Sequence, residues 1–216
     1  MGHPIILRAA LLTSRSQCRR PESSETMQSE APGPCIKVSD ASSQPWSGWK
    51  EFCSTVLQDW QANPRDPKAR AVLISFRGCQ FLMGECLRSR VIAIPSIVLH
   101  RFVTEFILGI ELRPKTRIGP GLSIYHGVGL VVNDHAVLGR NVTLRNGVTI
   151  GHQISGGGTP TIGDNVSIGA GAILLGEIHV GDRAVIGAGA VLTKSVPAGA
   201  VVVGNPAKVI KIDNPT

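Results

Sequence analysis

The chain of 216 residues is long enough for one or two domains that bury roughly 70% of the extended surface. A hydrophobic content of 43% and a charged content of 17% argue against a disordered or coiled-coil protein. The net charge of +7 is spread along the chain in basic runs no longer than two residues, and only nine aromatics are present, which argues against nucleic acid as a partner. Charges such as Arg8, Arg101 and Glu105 interrupt every apolar run before the roughly 18 residues of a membrane span.

Residues 1–45 read as a leader, disordered or spurious. The first twenty residues carry Arg8, Arg15, Arg19 and Arg20 without an acid, in the manner of an organellar transit peptide, and Met27 offers an alternative start. Ser, Pro and Glu dominate residues 21–45. The five cysteines, Cys18, Cys35, Cys53, Cys79 and Cys86, form no CxxC pair and read as small apolar residues of a reducing, cytoplasmic compartment.

An α-helical region is expected over 46–110. Trp49, Phe52, Cys53, Val56, Leu57 and Trp60 recur at helical spacing, with Ser47 placed to cap the start. Asn63, Pro64, Asp66 and Pro67 mark a break. A second helix is expected from Lys68 to Arg90 and a third from Ser96 to Leu108, separated by Pro95 and ended by Gly109. Composition changes at that glycine: 20 of the 25 glycines lie from Gly109 onward, and eight of the nine aromatics lie before it.

From Val132 the sequence repeats every six residues. Aliphatics stand at Val132, Leu138, Leu144, Ile150, Ile162, Ile168, Leu174, Val180, Ile186 and Leu192, and only Gly156 breaks the register, inside a glycine-rich loop. A second apolar residue follows four positions later, at Ala136, Val142, Val148, Val166, Ala172, Ile178, Ala184 and Ala190. Six fits neither 3.6 residues per helical turn nor the period of two of a plain strand. It fits stacked coils of short flat strands joined by tight corners, where glycine takes the unusual dihedrals.

The runs Ile162-Gly163-Asp164-Asn165-Val166, Ile168-Gly169-Ala170-Gly171-Ala172 and Gly204-Asn205-Pro206-Ala207-Lys208 resemble the hexapeptide-repeat acyltransferases. The resemblance implies a mainly β fold, a left-handed parallel β-helix of three-sided, eighteen-residue coils preceded by the short α-helical region. The helix would span 111–205, with about five coils, followed by a C-terminal tail over 206–216. Upstream, Asp59-Trp60-Gln61-Ala62, Asp66-Pro67 and Phe76-Arg77-Gly78-Cys79-Gln80 are similar to the serine acetyltransferase branch. So are Gly109-Ile110-Glu111-Leu112-Arg113-Pro114, Ile118-Gly119-Pro120-Gly121 and His126-Gly127-Val128-Gly129.

His126 is the candidate base. It lies where the six-residue register slips, because Ile124 and Val132 are eight residues apart, so two extra residues bulge out around it. By resemblance it deprotonates the acceptor hydroxyl for attack on the thioester of acetyl-CoA. Glu111 stands where the family carries the carboxylate that orients this histidine. Asp59 matches an aspartate that holds the amino group of serine, and Tyr125 replaces a second acceptor-binding aspartate. The loop from Gly151 to Pro160 lacks the family's arginine, leaving His152 as the residue able to answer part of a substrate carboxylate. Ala170 and Ala188, eighteen residues apart, share one corner of consecutive coils and, with Thr193, Lys194 and Lys211, are expected to meet the co-substrate acetyl-CoA.

The expected activity is O-acetylation of L-serine, with a sugar hydroxyl of a surface polysaccharide as the alternative acceptor. A homotrimer is expected, with a hexamer left open and active sites in grooves between neighbouring prisms. A non-catalytic trimeric scaffold is the rival from another class. A zinc site of the γ-carbonic anhydrase type is disfavoured, because spacings of 26 and 27 residues put His126, His152 and His179 on different sides of an eighteen-residue coil, so no metal is expected.

Overall fold

The computed structural model describes residues 47–83, 87–154 and 156–212; the leader over 1–45 lies outside them. Helix α1 spans Ser47–Leu57, α2 Pro67–Met83 and α3 Leu87–Arg101. Proline at the first position of α2 donates no N–H, and Asp66 caps the turn by accepting from the Ala69 amide at 3.0 Å. Ala69, Val72, Leu73, Phe76 and Cys79 form the buried stripe of α2 at helical spacing.

Two expectations change here. Pro95 does not separate two helices: α3 begins at Leu87 and runs through it, with the proline on the exposed side, where a single lost hydrogen bond is tolerable. Trp60 falls beyond α1 and is 43% exposed, with the Arg70 guanidinium 4.0 Å over its ring. After α3 the backbone widens into a π-helical turn, Phe102–Ile107, and Gly109 ends it at φ +64°.

The strands come in coils of three. They are β1 (Ile110–Leu112), β2 (Arg117–Ile118) and β3 (Ser123–Tyr125), then β4 (Leu130–Val132), β5 (Val137–Leu138) and β6 (Thr143–Arg145). The third and fourth coils hold β7 (Thr149–Gly151), β8 (Thr161–Ile162) and β9 (Ser167–Ile168), then β10 (Ile173–Leu175), β11 (His179–Val180) and β12 (Val185–Ile186). The last coil holds β13 (Val191–Leu192) and β14 (Ala200–Val203), and β15 (Lys208–Ile212) turns back antiparallel to β14. The segment read as a tail thus begins with the strand that closes the lower end.

The fold is a left-handed parallel β-helix of about five coils. Its first face is β1-β4-β7-β10-β13, its second β2-β5-β8-β11, and its third β3-β6-β9-β12-β14 with β15 at the edge. The ten repeat aliphatics from Val132 to Leu192 are all at most 2% exposed, and the smaller set from Ala136 to Ala190 fills the space between them. Side chains stacked at one strand spacing make a column with no room for a water.

Register shows where the coils are irregular. Val185 pairs with Ser167, an offset of 18, whereas Tyr125 pairs with Arg145, an offset of 20. Val137 pairs with Thr161, an offset of 24. The extra residues emerge at two places, between β3 and β4 around His126, and between β7 and β8 around His152.

The first coil has no coil above it, so side chains from the helices satisfy its edge. Arg77 donates to the carbonyls of Ile118 at 2.9 Å and Gly119 at 2.7 Å, and Gln80 to that of Thr116 at 3.0 Å, on the second face. Asp59 accepts from the Leu122 amide at 2.9 Å and Asn63 from the Ile124 amide at 2.9 Å, on the third. His100 Nε2 donates to the Leu112 carbonyl at 3.0 Å on the first. The Asp59–Arg77 pair, at 2.8 Å, is almost wholly buried, with the side chains 1% and 3% exposed.

Removing one partner of a buried ion pair strands the other charge, which costs about 3–5 kcal/mol. Asp59→Ala is therefore expected to lower the unfolding free energy by about that amount in urea titrations. His100 supplies a pH dependence. Burial holds its imidazole below the ordinary range, partly offset by the Leu112 carbonyl and Glu105. Burial thus favours the neutral ring in the folded chain, while the unfolded ring titrates near pH 6.5, so its contribution is complete above about pH 6.5 and is lost progressively as the pH falls below it. The wild type is expected to lose more stability than His100→Gln between pH 7.5 and 5.5, read by denaturation at both values.

Candidate active site

His126 sits in the two-residue excursion between β3 and β4 with φ +63°, a left-handed conformation that a residue with a side chain rarely adopts. Gly127 follows at φ +39°, and a Cβ there would lie 2.7 Å from Ile110 Cδ1, so only glycine lets the excursion close against β1. Gly129 then donates to the Gly109 carbonyl at 2.7 Å. The result is a rigid loop that holds an exposed imidazole away from the core. Strain of this kind, of order 1–3 kcal/mol, is typical of positions held for chemistry.

A cavity of about 560 Å³ opens beside this histidine, lined by Asn63, Pro64, Arg65, Asp66, Ile124, Tyr125 and His126. Tyr125 is on its wall, as its place next to His126 implies. Asp59 is not. Its carboxylate is buried beneath the chain in the ion pair with Arg77, both oxygens engaged, and is closed to an acceptor's ammonium. The carboxylate that does reach the cavity is Asp66, seven residues further on. The Asp66-Pro67 pair carried that signal: a helix-capping aspartate keeps its carboxylate at the surface, whereas one placed to pair with an arginine of the next helix is drawn inward.

Glu111 lies on β1, on the strand against which the His126 loop packs. Its Oε1 accepts from Arg113 Nη2 at 2.9 Å, and no hydrogen bond joins it to His126 among the described residues. The expected pair is therefore unmade among the described residues, and the carboxylate meets instead the guanidinium of Arg113, one residue past the strand. His152 is more distant in topology. It follows β7, on the corner between the first and second faces, where its Nδ1 lies 3.4 Å from the Gly158 carbonyl and its ring 6.2 Å from that of His135.

Ala170 and Ala188 do share a corner, and it is the corner of His126. The turns from third face to first stack vertically: Gly147 donates to the Val128 carbonyl, Gly171 to that of Asn146 and Gly189 to that of Ala170, each at 2.9 Å. Gly129, Gly147, Gly171 and Gly189 all adopt positive φ, and a Cβ added at Gly171 or Gly189 would meet nothing within 4 Å. An open furrow of small residues thus runs from His126 down three strand spacings, about 14 Å.

Thr193 and Lys194 follow β13 on the other corner, that of His152, and line a groove of about 320 Å³ with Lys208. Lys211 is on β15 opposite Val201. One chain thus presents His126, Ala170 and Ala188 on one corner and His152, Thr193 and Lys194 on another. A separate apolar groove of about 410 Å³ between α2 and α3 contains Ser75, Cys79 and His100. Ser75 Oγ is 2.8 Å from His100 Nδ1, and this pair belongs to the edge-capping network.

The family model for the bacterial transferase hexapeptide (six repeats) matches residues 159–194. A serine acetyltransferase of Staphylococcus xylosus is 38% identical over 157 residues, covering 69% of this chain and 73% of the relative. The chain belongs to the serine acetyltransferase family of hexapeptide-repeat acyltransferases. Solved serine acetyltransferases superpose on it: the soybean enzyme complexed with serine at TM-score 0.65 and 32% identity, covering 76% of this chain and 72% of that one. The Neisseria gonorrhoeae enzyme in complex with serine gives 0.62 and 33%, covering 76% and 70%. An Escherichia coli K12 acetyltransferase named for colanic acid biosynthesis is 35% identical over 158 residues, covering 71% of this chain and 98% of the relative. The chain is thus similar both to serine acetyltransferases and to an acetyltransferase named for colanic acid biosynthesis.

Proposed function

We propose that the chain transfers the acetyl group of acetyl-CoA to the hydroxyl of L-serine, giving O-acetyl-L-serine and CoA. The observation that carries this reading is one corner of the β-helix: an imidazole held at positive φ beside a cavity with Asp66, at the head of an open furrow past Ala170 and Ala188. Relatives named serine acetyltransferase, two of them solved with serine, supply the acceptor. Asp66 is placed for its ammonium. We place the reaction in the cytoplasm, where acetyl-CoA is available.

His126 takes the hydroxyl proton as the acceptor oxygen attacks the thioester carbonyl. The C–S bond then breaks, and the leaving sulfur recovers the proton from the imidazole. Glu111 is the orienting carboxylate. Its exposed ion pair with Arg113 is worth roughly 0–1 kcal/mol, so turning to the far ring nitrogen of His126 costs little and stabilises the imidazolium while it lasts. The thioester end of acetyl-CoA lies at His126, with its arm in the glycine furrow and Thr193, Lys194 and Lys211 toward its phosphates.

Thr193, Lys194 and His152 are on a different corner from His126, which favours a trimer in which one prism's His126 corner faces the next prism's His152 corner. Apolar Val128 and Ile154, 58% and 75% exposed on these two corners, suit such a contact. A second reading, a sugar hydroxyl as acceptor, is favoured by Tyr125, by the arginine-free loop and by the near full-length match to the E. coli relative.

His126→Ala is expected to keep its circular dichroism spectrum and lose ~10²–10⁴-fold in kcat. A rate within about threefold of wild type overturns its role as base. Ala188→Phe, at an exposed turn, is expected to leave the melting temperature unchanged and raise the KM for acetyl-CoA roughly 5- to 150-fold, the cost of a steric clash of about 1–3 kcal/mol. Comparing kcat/KM for L-serine and for candidate glycans decides the acceptor, and absence of thioester cleavage with every acceptor supports the non-catalytic scaffold.

A further inference from the structure

Arg145 lies on β6, paired in the parallel ladder with Tyr125 on β3, about 4.8 Å from the residue that precedes His126. Its guanidinium is 5.3 Å from the centre of the Tyr125 ring, within the range of a cation–π contact. No carboxylate or carbonyl among the described residues pairs with it. The cavity on whose wall Tyr125 stands carries Asp66 and one more arginine, Arg65, and Arg145 lies next to that wall residue rather than in the lining itself. Arg145 thus sets, beside a wall residue of the acceptor cavity, an exposed positive charge that proton transfer by His126 does not use.

We propose that Arg145 is the carboxylate-binding, specificity-determining residue of the acceptor site, so that the acceptor is a hydroxyl compound bearing a carboxylate. This rests on the acetyltransferase reading of the His126 cavity and names the acceptor's charge. The loop over 151–160 contains no arginine, so a carboxylate must be met from elsewhere or lie unpaired in a partly dry site, at a cost of several kcal/mol. Arg145 supplies a planar fork of donors matched to a carboxylate. It is singled out over Arg65 because the Tyr125 ring already restrains it, so less side-chain freedom is lost on binding. The replacement of an aspartate by Tyr125 fits the same role: an aspartate there would neutralise Arg145, whereas an aromatic ring positions it and leaves the charge available. An amino acid hydroxyl would then lie with its ammonium at Asp66 and its carboxylate at Arg145. An acidic sugar would use the Arg145 contact alone.

The experiment compares L-serine with L-serinamide, which keeps hydroxyl and ammonium but lacks the carboxylate, and a glucuronic-acid glycan with its glucose counterpart. Each is run on the wild type, Arg145→Gln, Arg145→Lys and Arg65→Gln. The wild type is expected to prefer the carboxylated member of whichever pair it turns over, which also tells an amino acid from an acidic sugar. Arg145→Gln raises the KM for that acceptor roughly 10- to 150-fold, the loss of one charge-assisted hydrogen bond. It leaves the KM for acetyl-CoA and for the neutral acceptor within about threefold, as for surface substitutions generally. Arg145→Lys restores part of the loss, and Arg65→Gln moves the same KM less than Arg145→Gln does. Equal loss of kcat with charged and neutral acceptors, or a larger effect from Arg65→Gln, overturns the role given to Arg145. Wild-type turnover that does not discriminate the carboxylate overturns it as well while leaving the acetyltransferase standing. Absence of turnover with all four acceptors overturns the acetyltransferase reading, and the role of Arg145 with it.

Discussion

A parallel β-helix has an open end wherever its first coil begins, and the backbone groups there must find partners or pay for burial unpaired. In this chain Asp59, Asn63, Arg77, Gln80 and His100 meet that demand on all three faces. The buried Asp59–Arg77 pair is the centre of the network, tying the segment before α2 to the middle of α2 and both to the first coil. Helix α2 is fixed relative to the coils through these side chains together with Ala69, Val72, Leu73 and Phe76, which share the coils' core.

The same network builds the cavity beside His126. Asn63 holds the Ile124 amide, and Ser123 donates to the Ala62 carbonyl at 2.9 Å, so residues 62–66 lie across the end of β3. Tyr125 and His126 are the next residues of that strand, and Asp66 is the next cap of the helix. Closing the β-helix and placing a carboxylate beside the imidazole are therefore one structural event. The helical region belongs to the site although the repeat that defines the fold begins after it.

Irregularity carries the remaining design. Coils of eighteen residues present every corner alike, so a unique side chain needs a departure from the period. Two residues are added at His126 and six around His152, each at a different corner, while the other turns of the His126 corner stay short, as Asn146-Gly147, Ala170-Gly171 and Ala188-Gly189. The small residues keep the His126 corner open down its length, and the extra ones give it a chemically distinct head.

The period of six was legible because it is local: an aliphatic every sixth residue must point inward in any coil of this size, and all ten do. The slip at His126 was legible for the same reason, as a count that fails, and it located the excursion between β3 and β4 before any geometry. Helix ends were legible at Gly109 and Asp66-Pro67 but not at Pro95, because one missing donor on an exposed helix side is a smaller perturbation than the residue type suggests. Asp59 and Asp66 could not be told apart by type. Both precede α2 on a polar segment, and only packing decides that the first meets Arg77, eighteen residues away, in the interior, while the second remains at the surface beside His126. Arg145 was silent for a related reason: its meaning comes from lying under Tyr125, twenty residues earlier, a distance set by the irregular coil. Periodicity fixes which way a side chain points, but partners far apart in the chain are chosen by the fold that brings them within a few ångströms.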